Sequence, residues 1–332
     1  MTTPPFAAPA TPTPEQTMRA IVLAHPGPPE ELTIGEAPMP MLINSEVLVK
    51  VAAAGINPID AKTRAGRGAA AAVRWPAILG YDFSGVVAAV PFETHPLRVG
   101  DAVYGMTSVP RGDGSFAEYV SVSSLSVARM PARLSLVEAA AVPLAAMTAW
   151  GIVVDVARAH EGQRMLIHAG SGGVGHFAVQ FARYFGADVT ATGSARNLDF
   201  LRDLGAGQVI DYGSTRFEDV AHDMDVVLDL VGNAHDNTGT RSLSTLRKGG
   251  LMVNVPSGSW PTAIEEAEAA GVRATRFKLA PDGRLLERIG LLLDSGDIRV
   301  HVDEVFDWAD AAAAHRMLEG GHTRGKIVLR IG

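Results

Sequence analysis

Arg164-Met-Leu-Ile-His-Ala-Gly-Ser-Gly-Gly-Val-Gly-His-Phe-Ala-Val-Gln-Phe-Ala182 decides the reading of this chain. An apolar run suited to a strand enters a glycine turn, and Val174, Phe177, Ala178, Phe181, Ala182 and Phe185 then recur at helical spacing. Gly170, Gly172 and Gly175 fall on the G-x-G-x-x-G pattern, which permits a tight turn, close approach of backbone to a pyrophosphate, and close packing of helix on strand. The helix start supplies the anion site through its unpaired N–H groups and the positive end of its dipole. Gly170, Ser171, Gly172, Gly173, Val174 and Gly175 therefore read as a dinucleotide cradle.

Downstream of the cradle, strand and helix alternate. Strands are expected at 165–168, 188–192, 208–210, 225–231 and 251–255, and helices at 175–184, 195–204, 216–222 and 235–246. This rhythm implies an α/β fold built on a Rossmann doubly wound parallel sheet, covered on both faces, with right-handed crossovers. Residues 272–279 alternate as an edge strand could, though their charges could equally protect the edge of a monomer. Upstream, short strands at 19–23, 46–54, 83–90, 102–106 and 117–122 lie between Gly, Pro and Asp, the pattern of a mostly β domain. Residues 139–154 are nearly uncharged but shorter than the roughly 20 needed to cross a bilayer, so they read as a buried helix broken or bent at Pro143. Two last strands, at 300–306 and 325–330, have no place in the sequential Rossmann order and are expected to return to the first domain. The expected division is 17–143 with 279–332 for that discontinuous domain, and 144–278 for the cofactor domain. Residues 1–16, with five prolines, are expected to be a disordered tail.

A chain of 332 residues suits about two domains. Its net charge of -7 argues against a nucleic-acid partner, which needs a basic face, and no segment suggests a membrane partner. With no cysteine there is no disulfide, no thiolate zinc site and no cysteine nucleophile, and a cytoplasmic location fits. The choice of nucleotide is read at the end of the second strand, Thr190-Ala-Thr-Gly-Ser-Ala-Arg-Asn197. NAD sites place a carboxylate there for the ribose hydroxyl, whereas here Gly193 is followed by Ser194 and Arg196, a hydroxyl and a guanidinium suited to a 2′-phosphate. NADPH is the expected cofactor. This tip also argues against a methyltransferase, whose similar sheet places an acidic residue there.

From about residue 18 onward the chain resembles the medium-chain dehydrogenase/reductase superfamily, in its zinc-free quinone oxidoreductase branch, the zeta-crystallin-like proteins. The resemblance is carried by Ala54-Gly-Ile-Asn-Pro-Ile-Asp, Ile78-Leu-Gly-Tyr-Asp-Phe-Ser-Gly-Val-Val, Gly114-Ser-Phe-Ala-Glu-Tyr-Val, Ala140-Ala-Val-Pro-Leu-Ala-Ala-Met-Thr-Ala-Trp, the cradle, and Gly325-Lys-Ile-Val-Leu. It implies a GroES-like catalytic domain beside the Rossmann domain, with the active site in the cleft between them, and a homodimer formed along the edge of the Rossmann sheet. It also implies that Asn57 and Thr148 serve the nicotinamide end, that Tyr212 and Ser194 line the adenosine phosphate, that Val231 and Gly232 pass the nicotinamide ribose, and that Lys326 serves the cofactor; Tyr81 is read beside these either as a proton donor or as a packing residue. The alcohol dehydrogenase branch would carry Cys at Asn57 and Gly-His-Glu at Gly80-Tyr81-Asp82, so both metal ligands are replaced and no metal is expected.

Without a metal to polarise a simple ketone, quinones and α,β-unsaturated carbonyls become the natural acceptors, because they spread the arriving charge onto a distant oxygen. The expected reaction is hydride transfer from NADPH to a quinone or enone, the proton coming from water or Tyr81. Asn57 is read either as a donor to substrate or cofactor or as an Asn-Pro turn residue. Residues 64–75 are read as a wall of the substrate site, with Trp75 either shaping it or packing in a core. Two alternatives stand beside this reading: a biosynthetic enoyl reductase acting on a polyketide-like intermediate, and a non-catalytic NADPH-binding module.

Overall fold

Short alternating strands give way to a strand and helix repeat near residue 145, and the chain divides there. The structure is a computed structural model that describes residues 16–110 and 113–332, so the expected tail, apart from Gln16, lies outside the described residues. One unit extends to Leu144 and includes 281–296 and 301–332; the other holds 145–280 and 297–300.

The first unit contains β1 (Thr17–Leu23), β2 (Thr33–Pro38), β3 (Glu46–Ile56), α1 (Pro58–Arg64), β4 (Ala77–Ile78), β5 (Asp82–Ala89), β6 (Ala102–Met106), β7 (Tyr119–Ser123), β8 (Val127–Arg129) and α2 (Leu136–Ala140). The second contains most of α3 (Pro143–Trp150), then β9 (Arg164–Ile167), α4 (Gly175–Tyr184), β10 (Asp188–Gly193), α5 (Leu198–Asp203), β11 (Gln208–Asp211), β12 (Met224–Asp229), α6 (Thr238–Ser242), β13 (Leu246–Asn254), α7 (Ala263–Ala269) and β14 (Arg273–Arg276). The chain then returns to the first unit with α8 (Gly283–Ser295), β15 (Val302–Asp307), α9 (Ala311–Glu319) and β16 (Lys326–Arg330).

In the first unit, β2-β1-β4 form a small antiparallel sheet, and a larger sheet runs β15-β16-β3-β5-β6-β8, with β7 also on β3. Apolar side chains such as Ile21, Phe83, Phe116, Ile327 and Leu329 make its core. Trp75 packs half-buried against that core, the packing role of the two considered for it. The returning β16 pairs antiparallel with the end of β3, Ile327 opposite Ile56, while β5 begins on the other side of β3. This register brings Lys326, Asn57 and Asp82 together.

The second unit is a parallel sheet ordered β11-β10-β9-β12-β13-β14. The chain moves outward from β9 to β11 and then crosses to β12, so the strand order reverses between β9 and β12. Ligands of open α/β sheets bind outside the carboxyl ends of the strands at such a reversal. β14 stands at one edge of this sheet and β11 at the other, and β14 covers only Arg273–Arg276 of the strand expected at 272–279. Pro143 breaks the apolar run, with α2 ending at Ala140 and α3 opening at Pro143. Among the described residues, no helix is long and apolar enough to cross a membrane.

Three expectations are corrected. The helix at 216–222 is a single 3-10 turn, Phe217–Asp219, and Asp223 beyond it takes a left-handed φ of 53° that no helix continues. The helix at 235–246 shrinks to Thr238–Ser242, because Asp236 and Asn237 are left-handed and Leu246 already pairs with Met224. Residues 297–300 side with the second unit, where Gln180 Nε2 donates to Arg299 O and Arg299 N donates to Gln180 Oε1, each at 2.9 Å.

Two buried imidazoles make stability depend on pH. Burial lowers His168 from 6.5 to about 4, with Asp229, Arg241 and Glu218 modulating the shift, and burial then Arg64 lower His315 to about 3. Neither ring nitrogen of His315 has a hydrogen-bond partner among the described residues. Below 6.5 the unfolded chain protonates both rings while the fold does not, so stability falls as pH drops through that window. Asp60 acts oppositely: burial raises it from 3.8 to about 7, so its contribution is present below 3.8 and is lost as pH rises to 7. Between about pH 4 and 6.5 these groups leave two protons minus one in favour of unfolding. Replacing His315 by leucine is expected to lower the slope of unfolding free energy by about 1.4 kcal/mol per pH unit in that window, measured by urea unfolding across it. An unchanged slope would mean that His315 is already protonated in the fold.

Candidate cofactor cradle and catalytic residues

The stretch expected to cradle the dinucleotide forms a glycine turn between β9 and α4. Gly170 N donates to Thr192 O at 3.0 Å, and Gly172 N to Ala169 O at 2.9 Å, turning the chain from β9 into α4. A Cβ at Gly175 would collide with the Ala169 carbonyl, so this glycine permits helix and turn to touch. Gly172 differs: a Cβ there meets only Ala169 O, at 3.3 Å. Its glycine is thus not demanded by the protein's own packing, which fits a position kept bare for a ligand's phosphates. Asn197 Nδ2 donates to Ser171 Oγ at 3.0 Å and ties the cradle to the segment after β10.

At the tip of β10, Ser194 is half-buried and Arg196 exposed. Tyr212, 55% exposed, stands beyond β11 with its N–H on Gly193 O at 3.2 Å. Asp211, in register with Gly193, is the nearby carboxylate that reading β10 alone overlooks. Its oxygens are engaged locally, accepting from Gly213 N at 3.0 Å and Ser214 Oγ at 2.9 Å. After β12, buried Asp229 shapes the turn, accepting from Val231 N at 2.9 Å, Gly232 N at 2.7 Å and Asn254 Nδ2 at 2.7 Å. Val231 and Gly232 therefore offer no free N–H to a ligand, and would act through shape.

In the first unit, Asn57, Asp60, Asp82 and Lys326 form a cluster in which no side chain exceeds 3% exposure. Asn57 caps α1 while Asp60 Oδ2 accepts from Asn57 N at 2.8 Å, a reciprocal capping box. The Lys326 ammonium donates to Ile56 O at 2.9 Å, Asn57 Oδ1 at 2.5 Å and Asp82 Oδ2 at 3.1 Å, using all three protons. Asn57 Nδ2 donates to Asp82 Oδ2 at 2.9 Å, and Leu144 N to Asp82 Oδ1 at 2.7 Å. Lys326, expected on the cofactor, thus has no proton left over, and the Asn57 amide is engaged within its own unit. Asp60 Oδ1 accepts from Gly80 N at 3.1 Å, which holds Gly80 at a φ of +106° suited to glycine and so aims Tyr81. Burial, then the Asp60 charge, pushes the Tyr81 phenol up to about 12, so it keeps its proton at neutral pH.

Residues 170–175, Gly193 and Ser194 lie in the second unit, and Asn57 and Tyr81 in the first. Thr148 is buried on α3 in the second unit. Missed were the Lys326–Asp82 ion pair and the roles of Asp229 and Asn197. A strand ending in Asp followed by Leu-Val-Gly signals the Asp229 turn, whereas nothing local announces a lysine 244 positions away from its carboxylate.

Comparison with known proteins places this geometry. Residues 44–132 match the model for the alcohol dehydrogenase GroES-like domain, and residues 204–329 that for zinc-binding dehydrogenase. The chain is 34% identical over 300 residues to a 2-methylene-furan-3-one reductase of Solanum lycopersicum, covering 88% of this chain and 73% of that protein. It is 33% identical over 301 residues to an NADPH-dependent alkenal/one oxidoreductase, chloroplastic, of Arabidopsis thaliana, with the same coverage. A solved quinone oxidoreductase from Coxiella burnetii superposes with a TM-score of 0.90 at 36% identity, over 96% of this chain and all of that one. The zinc in the description of the second model does not fit the residues here. At this place stand an engaged amide, a phenol that holds its proton, and a carboxylate already paired with an ammonium. Among the described residues no three His, Asp or Glu side chains are grouped to hold a metal.

Proposed function

The chain belongs to the medium-chain dehydrogenase/reductase superfamily, among its quinone and enone oxidoreductases, and from that membership we propose that it reduces quinones or α,β-unsaturated carbonyls with NADPH, without zinc. That it is an oxidoreductase using a nicotinamide cofactor follows from the family. The preference for NADPH is supported by one observation above all, the carboxylate-free tip of β10, where Ser194 and Arg196 follow Gly193 and the neighbouring Asp211 is engaged in its own turn.

When bound, NADPH supplies the hydride. The α4 N-terminus and Gly172 receive the pyrophosphate, while Ser194, Arg196 and Tyr212 receive the 2′-phosphate. Tyr81 holds a proton at Oη for the acceptor, and hydride plus that proton completes a two-electron reduction. Asn57 and Lys326 act by position, fixing Asp82 and the start of α1 beside Tyr81. Asp60 fixes Gly80. Thr148 contributes from α3. This reading carries with it a catalytic role for the first unit and a cofactor role for the second. It also carries a homodimer along the β14 edge and a cytoplasmic location, which a cysteine-free chain suits.

The test follows NADPH consumption by absorbance with a simple quinone and a simple enone in chelator-treated protein, with NADH in parallel. Turnover that survives chelation and prefers NADPH is expected. Arg196→Ala is expected to raise KM for NADPH about tenfold or more and leave KM for NADH within a factor of about two, since a charged hydrogen bond to phosphate is worth about 1.5–3 kcal/mol. Equal loss with both cofactors would remove Arg196 from the 2′-phosphate, and turnover of neither acceptor would favour the non-catalytic NADPH-binding module.

A further inference from the structure

Buried His168 is used by neither the cradle nor the proposed proton transfer, yet both its ring nitrogens are engaged. Nε2 lies 2.8 Å from Ser242 Oγ and Nδ1 3.2 Å from Thr192 Oγ1. The direction of each bond follows from proton counting. Ser242 Oγ donates its single proton to Thr238 O at 2.6 Å, so toward His168 it can only accept, and Nε2 carries the hydrogen. The neutral ring then has a bare Nδ1, which accepts from the Thr192 hydroxyl. Thr192 Oγ1 in turn accepts from Ala169 N at 3.3 Å. One directed chain therefore runs from Ala169 N through Thr192, His168 and Ser242 to Thr238 O.

Its two ends are the turns that flank the reversal of strand order. Ala169, at a left-handed φ of 49°, opens the cradle after β9. Thr238 begins α6 directly after Asp236 and Asn237, left-handed at 50° and 46°, and ends the turn that leaves β12. Both turns hold backbone conformations that cost energy for residues with side chains, so they need support from elsewhere in the fold. His168 N also donates to Leu228 O at 3.0 Å, which places the ring at the junction of β9 and β12. Phe217 packs edge-on against the ring at 4.6 Å between centroids.

We propose that His168 is a positioning residue for the dinucleotide, its Nε2–H form joining the turn that receives the pyrophosphate to the turn after β12, so that both ends of the cofactor meet a preset spacing. This role rests on the cofactor reading above. Its partner Ser242 lies outside the cradle and the 2′-phosphate group, so it offers a way to cut the chain without touching either.

The experiment compares NADPH with 2′,5′-ADP, which carries only the adenosine half. In Ser242→Ala, NADPH is expected to bind about tenfold more weakly while 2′,5′-ADP binds as in the wild type; Ser242→Thr, which keeps the hydroxyl, is expected to restore NADPH binding. Thr192→Val, cutting the chain at its other link, is the second variant should Ser242→Ala fail to fold. Independently, 15N NMR of the wild-type protein is expected to show His168 as the neutral Nε2–H tautomer. An Nδ1–H tautomer overturns the proposal, as does Ser242→Ala protein that binds NADPH normally or loses both ligands equally. A wild-type protein that binds neither NADPH nor NADH instead removes the cofactor reading, and this role with it.

Discussion

Gly172→Val is expected to abolish measurable NADPH binding while the protein stays folded. A Cβ at this position meets only the Ala169 carbonyl, at 3.3 Å, so the fold needs to give by only a few tenths of an ångström. The branched side chain then stands where phosphate oxygens would approach the backbone N–H groups at the start of α4. Losing two hydrogen bonds to a charged group, each worth about 1.5–3 kcal/mol, weakens binding by about 100-fold or more. The contrast with Gly175→Ala sharpens the test. There the added methyl collides with backbone, so the fold itself is expected to fail before binding can be measured. Thermal unfolding and NADPH titration of both variants separate the two cases. Unchanged NADPH affinity in Gly172→Val would remove the cradle from cofactor binding, whatever the glycine spacing suggests.

Lys326→Met is expected to destabilise the protein by about 3–5 kcal/mol, the usual cost of stripping one partner from a buried ion pair. Lys326 and Asp82 are 3% and 0% exposed, and the ammonium satisfies three oxygens drawn from the ends of β3 and β5. Methionine fills the volume but leaves Asp82 buried without its counter-charge, and Ile56 O without this donor. Adding Asp82→Asn removes the stranded charge, so the double variant is expected to be more stable than Lys326→Met alone, a coupling read from a double-mutant cycle in urea. Additive losses would show that the two side chains do not sense each other. Lys326→Met also takes away a charge that holds the Asp60 carboxyl down, so Asp60 would then keep its proton to higher pH.

These two sites differ in how they could be read. The cradle is contiguous: strand, glycines and helix follow one another within 19 residues, and each glycine has a reason that spacing alone supplies. The β10 tip is also local, and Ser194 with Arg196 stood out because a carboxylate was lacking there. The cluster around Asp82 is assembled from residues at 57, 60, 82 and 326, so its logic appears only when β16 returns to pair with β3. Asn57 shows the consequence: its Asn-Pro setting announced a turn or a donor, but the amide is engaged by Asp82 and Lys326. The helices expected at 216–222 and 235–246 failed for a related reason. Their apolar residues serve the sheet's packing, while Asp223, Asp236 and Asn237 adopt left-handed conformations that periodicity does not encode.

Periodicity, glycine spacing and the order of motifs determined by themselves the parallel sheet, the glycine turn from β9 into α4, the interrupted apolar helix and the return of the last strands, because each is written in residues close along the chain. Tertiary structure alone decided which carboxylates face which cation, that the lysine of the closing segment is consumed by Asp82, Asn57 and Ile56, and that His168 lies between Thr192 and Ser242. Those outcomes depend on desolvation and on the count of hydrogen-bond donors and acceptors at one point in space, quantities that exist only once distant strands have met.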